Sequence, residues 1–387
     1  MLNYKILTAK NIYSGLGKPV DKSAMILQEV NNKESIVAID KLDLMASNFP
    51  NTKIEDVGFA ISPKLVNPHT HLDLSQMSFS PGAYSAFIMK VLEHITTGKR
   101  GLESAQIGLA KLKAEGINTI GDIVTSKEVM HYLLASEMQG VAFWEVIDPD
   151  PATAEQTFNR LVAELREFRK LERPGGMKVG VSPHTPHTVS APLLQKIAAL
   201  AKQNNMPIQI HVAESPEETQ LHFEGNGPLM DLPIAYKDWQ ATGMTPVQYL
   251  KKLGVLDAKP SLVHMVNVTE DDIKDVAKAG CVVVHCPRSN TALDCGRFPI
   301  ELYAKYNVDI AIGTDSLGSS PSLSVEEEVY AAQALHGAKT SAQALIWSAV
   351  KGGYRALEMK TPKLGRGDSA ELIHVWKKIK NEEINKN

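Results

Sequence analysis

The sequence predicts an α/β chain built as a (β/α)₈ TIM barrel, with a small β-sandwich domain formed by both termini. Three observations carry that expectation. From Lys64 onward, short apolar runs alternate with amphipathic stretches, the pattern of strands that cross over through helices. Several histidines and one aspartate fall at or just beyond the ends of those runs, where a barrel would gather them on one face. Both ends of the chain read as strand and turn, while the middle does not.

In chain order, residues 4–9, 24–27 and 35–38 read as short strands joined by polar connections. The barrel strands are expected at 65–69, 118–123, 141–146, 178–182, 207–212, 261–264, 281–285 and 309–313. Between them, residues 103–115, 154–171, 191–203, 270–279 and 324–336 place apolar side chains at three- and four-residue spacing, which predicts helices. A further helix is expected over 342–359, then turn and strand from Lys363, with Gly365 and Gly367 ahead of a strand at 371–375. These divisions predict a small domain of residues 1–62 with 362–387 and a barrel of residues 63–361. An open doubly wound sheet is the structural alternative. The connection 224–245 is much longer than usual, and a lid or substrate wall competes there with a tolerated surface insertion.

Composition narrows the partner. In 387 residues, 41 Lys and Arg face 44 Asp and Glu, for a formal net charge of -3, and there is no basic run to suit nucleic acid or an anionic membrane. A small-molecule substrate is expected. No stretch reaches the roughly 18 apolar residues of a membrane span, and the first 16 residues lack a signal-peptide pattern, so a cytoplasmic enzyme is expected. Cys281, Cys286 and Cys295 lack paired CxxC spacing and read as reduced thiols. A homodimer, the commonest symmetric assembly, is the oligomer to expect if there is one.

The sharpest local signal is Asn67-Pro68-His69-Thr70-His71. Residues two apart in an extended chain point to the same side, so both imidazoles can face one point. His184, His211, His264 and His285 also lie at run ends, and Asp315 follows the last run. Imidazoles with one carboxylate suit zinc, or iron as second choice, whereas an oxygen-only set would suit magnesium or calcium. One divalent ion with an open position would lower the pKa of a water towards neutrality and supply hydroxide. Glu214, three residues beyond His211, is placed to move protons beside such an ion; the competing reading is an ordinary loop glutamate. HExxH, PCxxC, GxGxxG and GxxxxGK[ST] are all absent, which excludes the zinc-protease helix, the compact cytidine-deaminase fold and the common nucleotide loops.

Together these motifs resemble the amidohydrolase superfamily over nearly the whole chain. They are the HxH of His69 and His71, His211-Val212-Ala213-Glu214, His264, and Gly313-Thr314-Asp315-Ser316, supported by segments 182–190, 285–290 and 313–323. The resemblance is closest to the branch of S-adenosylhomocysteine deaminases, aminodeoxyfutalosine deaminases and related chlorohydrolases. It implies that His69, His71, His211 and Asp315 bind one metal ion, that His264 orients the attacking water, and that Glu214 and Asp315 transfer protons. It further implies that His184, Arg288 and Asn290 face the substrate. Lys178 only begins the fourth strand, so its mouth offers no lysine to bridge two metals, which favours the one-metal subtype.

The reaction so implied is hydrolytic deamination of an adenine-type nucleoside such as aminodeoxyfutalosine or S-adenosylhomocysteine. The rivals are guanine- or cytosine-type deamination, triazine dechlorination, cyclic amide hydrolysis, and a non-catalytic barrel used as a scaffold. Two departures from the family pattern stand out. His187 takes a place where relatives commonly have tyrosine, and Ser369-Ala370-Glu371 replaces the common Ala-Asp of the closing strand.

Overall fold

Strands β1 (Asn3–Ile12), β2 (Val20–Val30), β3 (Lys33–Lys41) and β4 (Lys53–Pro63) join the C-terminal strand Ile373–Trp376 in one mixed five-stranded sheet. The computed structural model describes residues 3–15, 19–235 and 237–377, so the last ten residues of the expected 362–387 segment lie outside the described residues. β1 runs antiparallel to β2 and parallel to β4, and the C-terminal strand pairs antiparallel with β4 from Ile373 opposite Pro63 to Trp376 opposite Ala60. The period-2 alternation of β1 and β2 sends Leu7, Ala9, Ile12, Met25 and Leu27 to one face, with Ile36, Ile61 and Leu364. Ile6, Ala24 and Ile26 go to the other face and pack on Met45 of the helix Leu42–Asn48. Trp376 is fully buried and its indole N–H donates to Ser62 Oγ at 2.9 Å, so the chain's two ends are tied by an apolar contact and a hydrogen bond together. Nothing in the sequence marks β4 as a strand, because its first half carries exposed Lys53, Glu55 and Asp56; pairing with β1 makes it one.

The segments up to Leu65 and from Lys360 form one compact unit and Val66–Met359 a second. The second unit contains two four-stranded parallel sheets. One orders β5 (Asn67–Thr70), β6 (Thr119–Val124), β7 (Gln139–Val146) and β8 (Met177–Pro183). The other orders β9 (Gln209–Val212), β10 (Ser261–His264), β11 (Val282–His285) and β12 (Asp309–Ile312). In both sheets each strand neighbours the next in sequence, as successive β-α-β crossovers require. β5, β6 and β9–β11 are buried along their whole length, so apolar residues can follow one another without alternation, as in Val282–Val284 of β11.

Hydrogen bonds also tie the sheets to each other at both margins. Val181 N–H donates to Pro207 O at 3.0 Å and His211 N–H to His184 O at 3.0 Å, linking β8 to β9. At the far margin Thr314 and Asp315 N–H both donate to His69 O, at 3.2 and 3.1 Å, and Asn67 Nδ2 donates to Thr314 Oγ1 at 2.7 Å.

The expected helices form at Leu102–Ala114, Ala154–Arg169, Ala191–Asn204, Glu270–Ala279 and Val325–His336. The stretch expected as one helix over 342–359 is α-helix at Ala342–Trp347, a π-helical turn at Ser348–Gly352 and α-helix again at Gly353–Ala356. The glycine at 352 fits that turn, because a Cβ there would lie 1.9 Å from Ile310 O. Helices at Tyr84–Thr96, Lys127–Ala135, Pro216–Glu224 and Pro246–Lys252 were not expected from sequence. The last two carry legible start signals: Ser215 caps the first through Glu218 N–H, and Thr245 with Gln248 forms a capping box on the second. They bracket the long 224–245 connection, of which all but Tyr236 is described.

Gly121 on β6 lies directly behind β5, which carries His69, and a Cβ there would sit 2.2 Å from Pro68 O. Gly121→Ala is therefore expected to lower unfolding stability by about 1–3 kcal/mol through overpacking, read as a fall in the urea midpoint.

Candidate active site

Each expected metal ligand is carried to the centre by the end of a strand, and the bonds behind it fix its orientation. His69 Nδ1 lies 2.7 Å from Gln209 Oε1, whose amide nitrogen donates to Pro68 O at 3.0 Å. The Gln209 oxygen accepts, so His69 carries its proton on Nδ1 and turns the Nε2 lone pair inward. His211 does the same, its Nδ1–H donating to His184 O at 3.1 Å. Its Nε2 then stands 3.2 Å from His71 Nε2. Asp315 Oδ1 is 3.7 Å from His69 Nε2 and 3.5 Å from His71 Nε2.

The rest of the Asp315 carboxylate is fully used: Oδ2 accepts from Ser289 Oγ at 2.7 Å and Ser319 Oγ at 3.0 Å, and Oδ1 accepts from Ser316 N–H at 2.8 Å. Burial alone would raise the Asp315 carboxyl, but the His69, His71 and His264 rings beside it hold it well below the usual carboxylate range. Burial pushes the His71 and His211 rings well down, keeping them neutral as ligands must be. His264 and Asp315 both have left-handed backbones, at φ 73° and 61°, a strained conformation for residues with a Cβ that bends each side chain off its strand end.

The donor set fits a divalent ion. His69, His71 and His211 each offer a nitrogen within 4.8 Å of the others, and His69, His264 and Asp315 meet the same limit. His69 Nε2 is wholly buried and makes no hydrogen bond, an arrangement that costs free energy unless a cation takes the lone pair. His264 differs from the other rings: Asn290 Nδ2 donates to its Nδ1 at 2.9 Å, which leaves the proton on Nε2, 3.5 Å from Glu214 Oε2. In that tautomer His264 presents an N–H to the centre where His69 and His211 present lone pairs. Burial takes its pKa down to about 3.

A cavity opens beside this centre, lined by His71, His184, His211, Glu214, His264 and Asp315. Its outer wall is apolar: Tyr84, Phe87, Ile88, Val91, Leu92 and Ile95 from the helix Tyr84–Thr96 face it, with Ile147 and Ile234. Ile234 belongs to the long connection, so that segment supplies part of the cavity wall. Glu214 is 4% exposed, and burial first, then the charges of Asp315 and Glu218, raise its carboxyl well above the normal range. The Tyr84 hydroxyl hydrogen-bonds it.

His184 lines the cavity, its Nδ1 2.8 Å from Thr188 Oγ1. Asn290 is buried against His264 and is not among the cavity-lining residues. Arg288 is committed elsewhere: its guanidinium donates to Glu328 and Glu327 at 2.6 Å each and to Ser322, so it fastens the 287–292 helix to Val325–His336. Gln209, Tyr84 and Ser289 are not marked locally as site residues, because their partners lie tens of positions away, and Ser319, four residues beyond Asp315, reads as an ordinary loop serine until its contact is seen. The three cysteines are buried free thiols. No helix is long and apolar enough to cross a membrane among the described residues.

Residues 60–386 match the profile of the amidohydrolase family. The chain belongs to the amidohydrolase family. This amidohydrolase is 40% identical, over 96% of its length and 90% of the relative's, to a protein of Deinococcus radiodurans named aminodeoxyfutalosine deaminase. It is 27% identical, over 87% of its length and 76% of the relative's, to a 5-methylthioadenosine/S-adenosylhomocysteine deaminase of Nitratidesulfovibrio vulgaris. In fold, the amidohydrolase chain resembles Helicobacter pylori aminofutalosine deaminase solved with methylthio-coformycin. The TM-score is 0.77 at 19% identity, covering 95% of this chain and 90% of the other. It is a hydrolase acting on carbon–nitrogen bonds.

His285, also at a strand end, lies apart from the amidohydrolase cavity. Its ring stacks on Phe298 with centroids 4.0 Å apart, and its Nε2 meets His336 Nε2 at 3.2 Å. Burial lowers both rings, His336 from 6.5 to about 4. Between those values the unfolded chain binds the proton and the folded chain does not, so stability is lost as pH falls from 6.5 towards 4. His336→Gln is expected to remove about 1–2 kcal/mol of that acid loss, allowing for partial solvent screening, measured as a smaller drop in the urea midpoint between pH 7 and pH 5.

Proposed function

We propose that this chain is a metal-dependent deaminase that removes the exocyclic amine of an adenine-type nucleoside, aminodeoxyfutalosine or a close analogue first among them. The observation that carries the reading is the 40% identity to a protein named aminodeoxyfutalosine deaminase in a chain whose Glu214, His264 and Asp315 line one cavity. The architecture supports it. Bonds join the two parallel sheets at both margins, which favours closure of the eight strands as a barrel of residues 63–361. The five-stranded sheet, which pairs strands from both ends of the chain and has a buried cluster on each face, supports a small β domain of residues 1–62 with 362–387, although one of those faces packs on a helix rather than on a second sheet.

His69, His71, His211 and Asp315 would hold one divalent ion, with zinc favoured by the nitrogen-rich donor set and iron as second choice. A divalent ion bound there supplies Lewis acidity, lowering the pKa of a water so that it can attack at neutral pH. The chain's own groups supply the rest. The His264 Nε2–H orients the attacking oxygen. Asp315, ionised, accepts the proton released from the water as its oxygen bonds to the carbon bearing the amine. Glu214, whose raised pKa lets it hold a proton, donates to the ring nitrogen so that negative charge does not build on the ring. The Asp315 proton then passes to the amine, the carbon–nitrogen bond breaks and ammonia leaves, while the proton on the added oxygen returns to Glu214, so the product is the neutral ring carbonyl and both carboxyl groups regain their starting states.

Asn290 acts in this scheme through His264, and His184 faces the substrate. For Arg288 the ion pairs with Glu327 and Glu328 support a role in fixing the loop rather than direct contact. The apolar wall from Phe87 to Ile95 suits an apolar substituent on the sugar, held away from water.

The test is incubation of metal-loaded protein with aminodeoxyfutalosine, S-adenosylhomocysteine, methylthioadenosine and adenosine, alongside a chlorinated triazine and a cyclic ureide. Ammonia from one or more nucleosides is expected. Absence of ammonia from all four, with chloride or a ring-opened product from the others, would replace the proposal by one of its hydrolytic rivals.

A further inference from the structure

A second cluster of metal-type donors lies outside the site described above. His187, Glu218 and His222 each offer one donor atom, and the three atoms lie within 4.8 Å of one another. His187 Nδ1 is 3.9 Å from Glu218 Oε1. We propose that these three side chains form a second binding site for a divalent transition-metal ion, distinct from the centre at His69.

Buried atoms without partners point to a ligand. Glu218 is 2% exposed and His222 is 0% exposed, yet Glu218 Oε1 and His222 Nε2 make no hydrogen bond. Leaving either atom dry and unsatisfied is costly, and a cation between them would satisfy both at once. Two opposite edges are anchored: Glu218 Oε2 accepts from Glu214 N–H at 2.9 Å, and Thr242 Oγ1 lies 3.4 Å from His222 Nδ1. These contacts leave Glu218 Oε1 and His222 Nε2 as the free atoms. His187 Nδ1, the nitrogen 3.9 Å from Glu218 Oε1, is also 3.2 Å from Thr185 Oγ1 and would exchange that contact for the ion. The cluster thus repeats two signatures of the first centre, converging donors and an unpartnered buried nitrogen.

Bonds of about 2.0–2.1 Å in a tetrahedral site put donors about 3.4 Å apart, so each side chain here need move by less than about 1 Å. Two imidazoles and a carboxylate suit zinc or ferrous iron and disfavour magnesium and calcium. Burial keeps the His187 and His222 rings neutral and ready to ligate. The site would stitch two segments together, the 184–188 turn and the helix Pro216–Glu224, and the 224–245 connection packs on one of its ligands, with the Trp239 and His222 rings edge to face at 5.1 Å. An ion there therefore acts as a structural clasp on the connection that contributes Ile234 to the cavity wall.

The full chain would be reconstituted with excess zinc, freed of unbound metal by gel filtration and its metal counted by mass spectrometry. Two ions per chain are expected for the wild type, one for His211→Ala, one for His222→Ala and none for the double variant. His211→Ala isolates the second centre, so its count fails or succeeds independently of the first. Should His222→Ala not fold, Glu218→Gln is counted instead, and there one ion per chain is again expected. Cobalt(II) bound to His211→Ala should give the visible absorption of a low-coordinate nitrogen–oxygen site. One ion in the wild type, or two retained when His222 or Glu218 is replaced, would overturn the proposal, and would leave a buried water or a hydrogen-bonded pair in its place.

Discussion

Replacement of His211 by alanine is expected to abolish turnover and to weaken ion binding at the first centre by roughly 10³-fold or more, since a ligand rather than its support is lost. His211 is central for reasons of placement. Its Nε2 lies 3.2 Å from His71 Nε2, its ring is stacked between His71 and His264, and its Nδ1–H is held by His184 O. Truncation would remove one donor and leave the His71 and Asp315 groups facing each other without a shared partner. The loss is measured by equilibrium titration with zinc in the presence of a competing chelator, and by ammonia release at saturating metal. Because the ring is 5% exposed, its removal also leaves a cavity, and circular dichroism distinguishes loss of ligation from loss of fold.

Glu214→Gln should behave in the opposite way towards the ion. Glu214 is not among the convergent donors of the first centre, and its nearest site contact is the protonated edge of His264 at 3.5 Å. The amide keeps size and shape but cannot deliver a carboxyl proton, so kcat is expected to fall by about 10²–10⁴-fold with metal content unchanged and KM within a few-fold of the wild type. A Glu214→Gln protein with wild-type kcat would show that another group protonates the ring. Tyr84 hydrogen-bonds the Glu214 carboxyl, so the amide also has a partner and the variant is expected to stay folded.

The parallel strands were legible where both faces are covered, which writes continuous apolar runs such as Val282–Val284 into the chain. The donors were legible because they sit at the ends of those runs, His69 after Val66 and His211 after Ile210, where sequence position translates directly into place in the fold. What stayed hidden depends on partners distant in sequence. Gln209 reads as an ordinary polar residue until Pro68 and His69 are seen to be its neighbours, about 140 positions earlier. Arg288 looked available for substrate because Glu327 and Glu328, which take its charge, lie about 40 positions on. β4 was obscured by its exposed acids, and the helix Tyr84–Thr96 by mixed exposure along a wall that faces a cavity rather than a core. The serines at 289, 316 and 319 fall inside the segments that carry the resemblance, but nothing in the sequence says that all three turn to the Asp315 carboxylate.

Anomalous diffraction from crystals of the zinc-loaded wild-type protein tests the central claim most directly. The account predicts an anomalous peak about 2.0–2.2 Å from nitrogens of His69, His71 and His211 and from an Asp315 oxygen, with His264 Nε2 outside bonding distance. A peak bonded to His264 and not to His211, or no peak among these four side chains at full zinc loading, would contradict it.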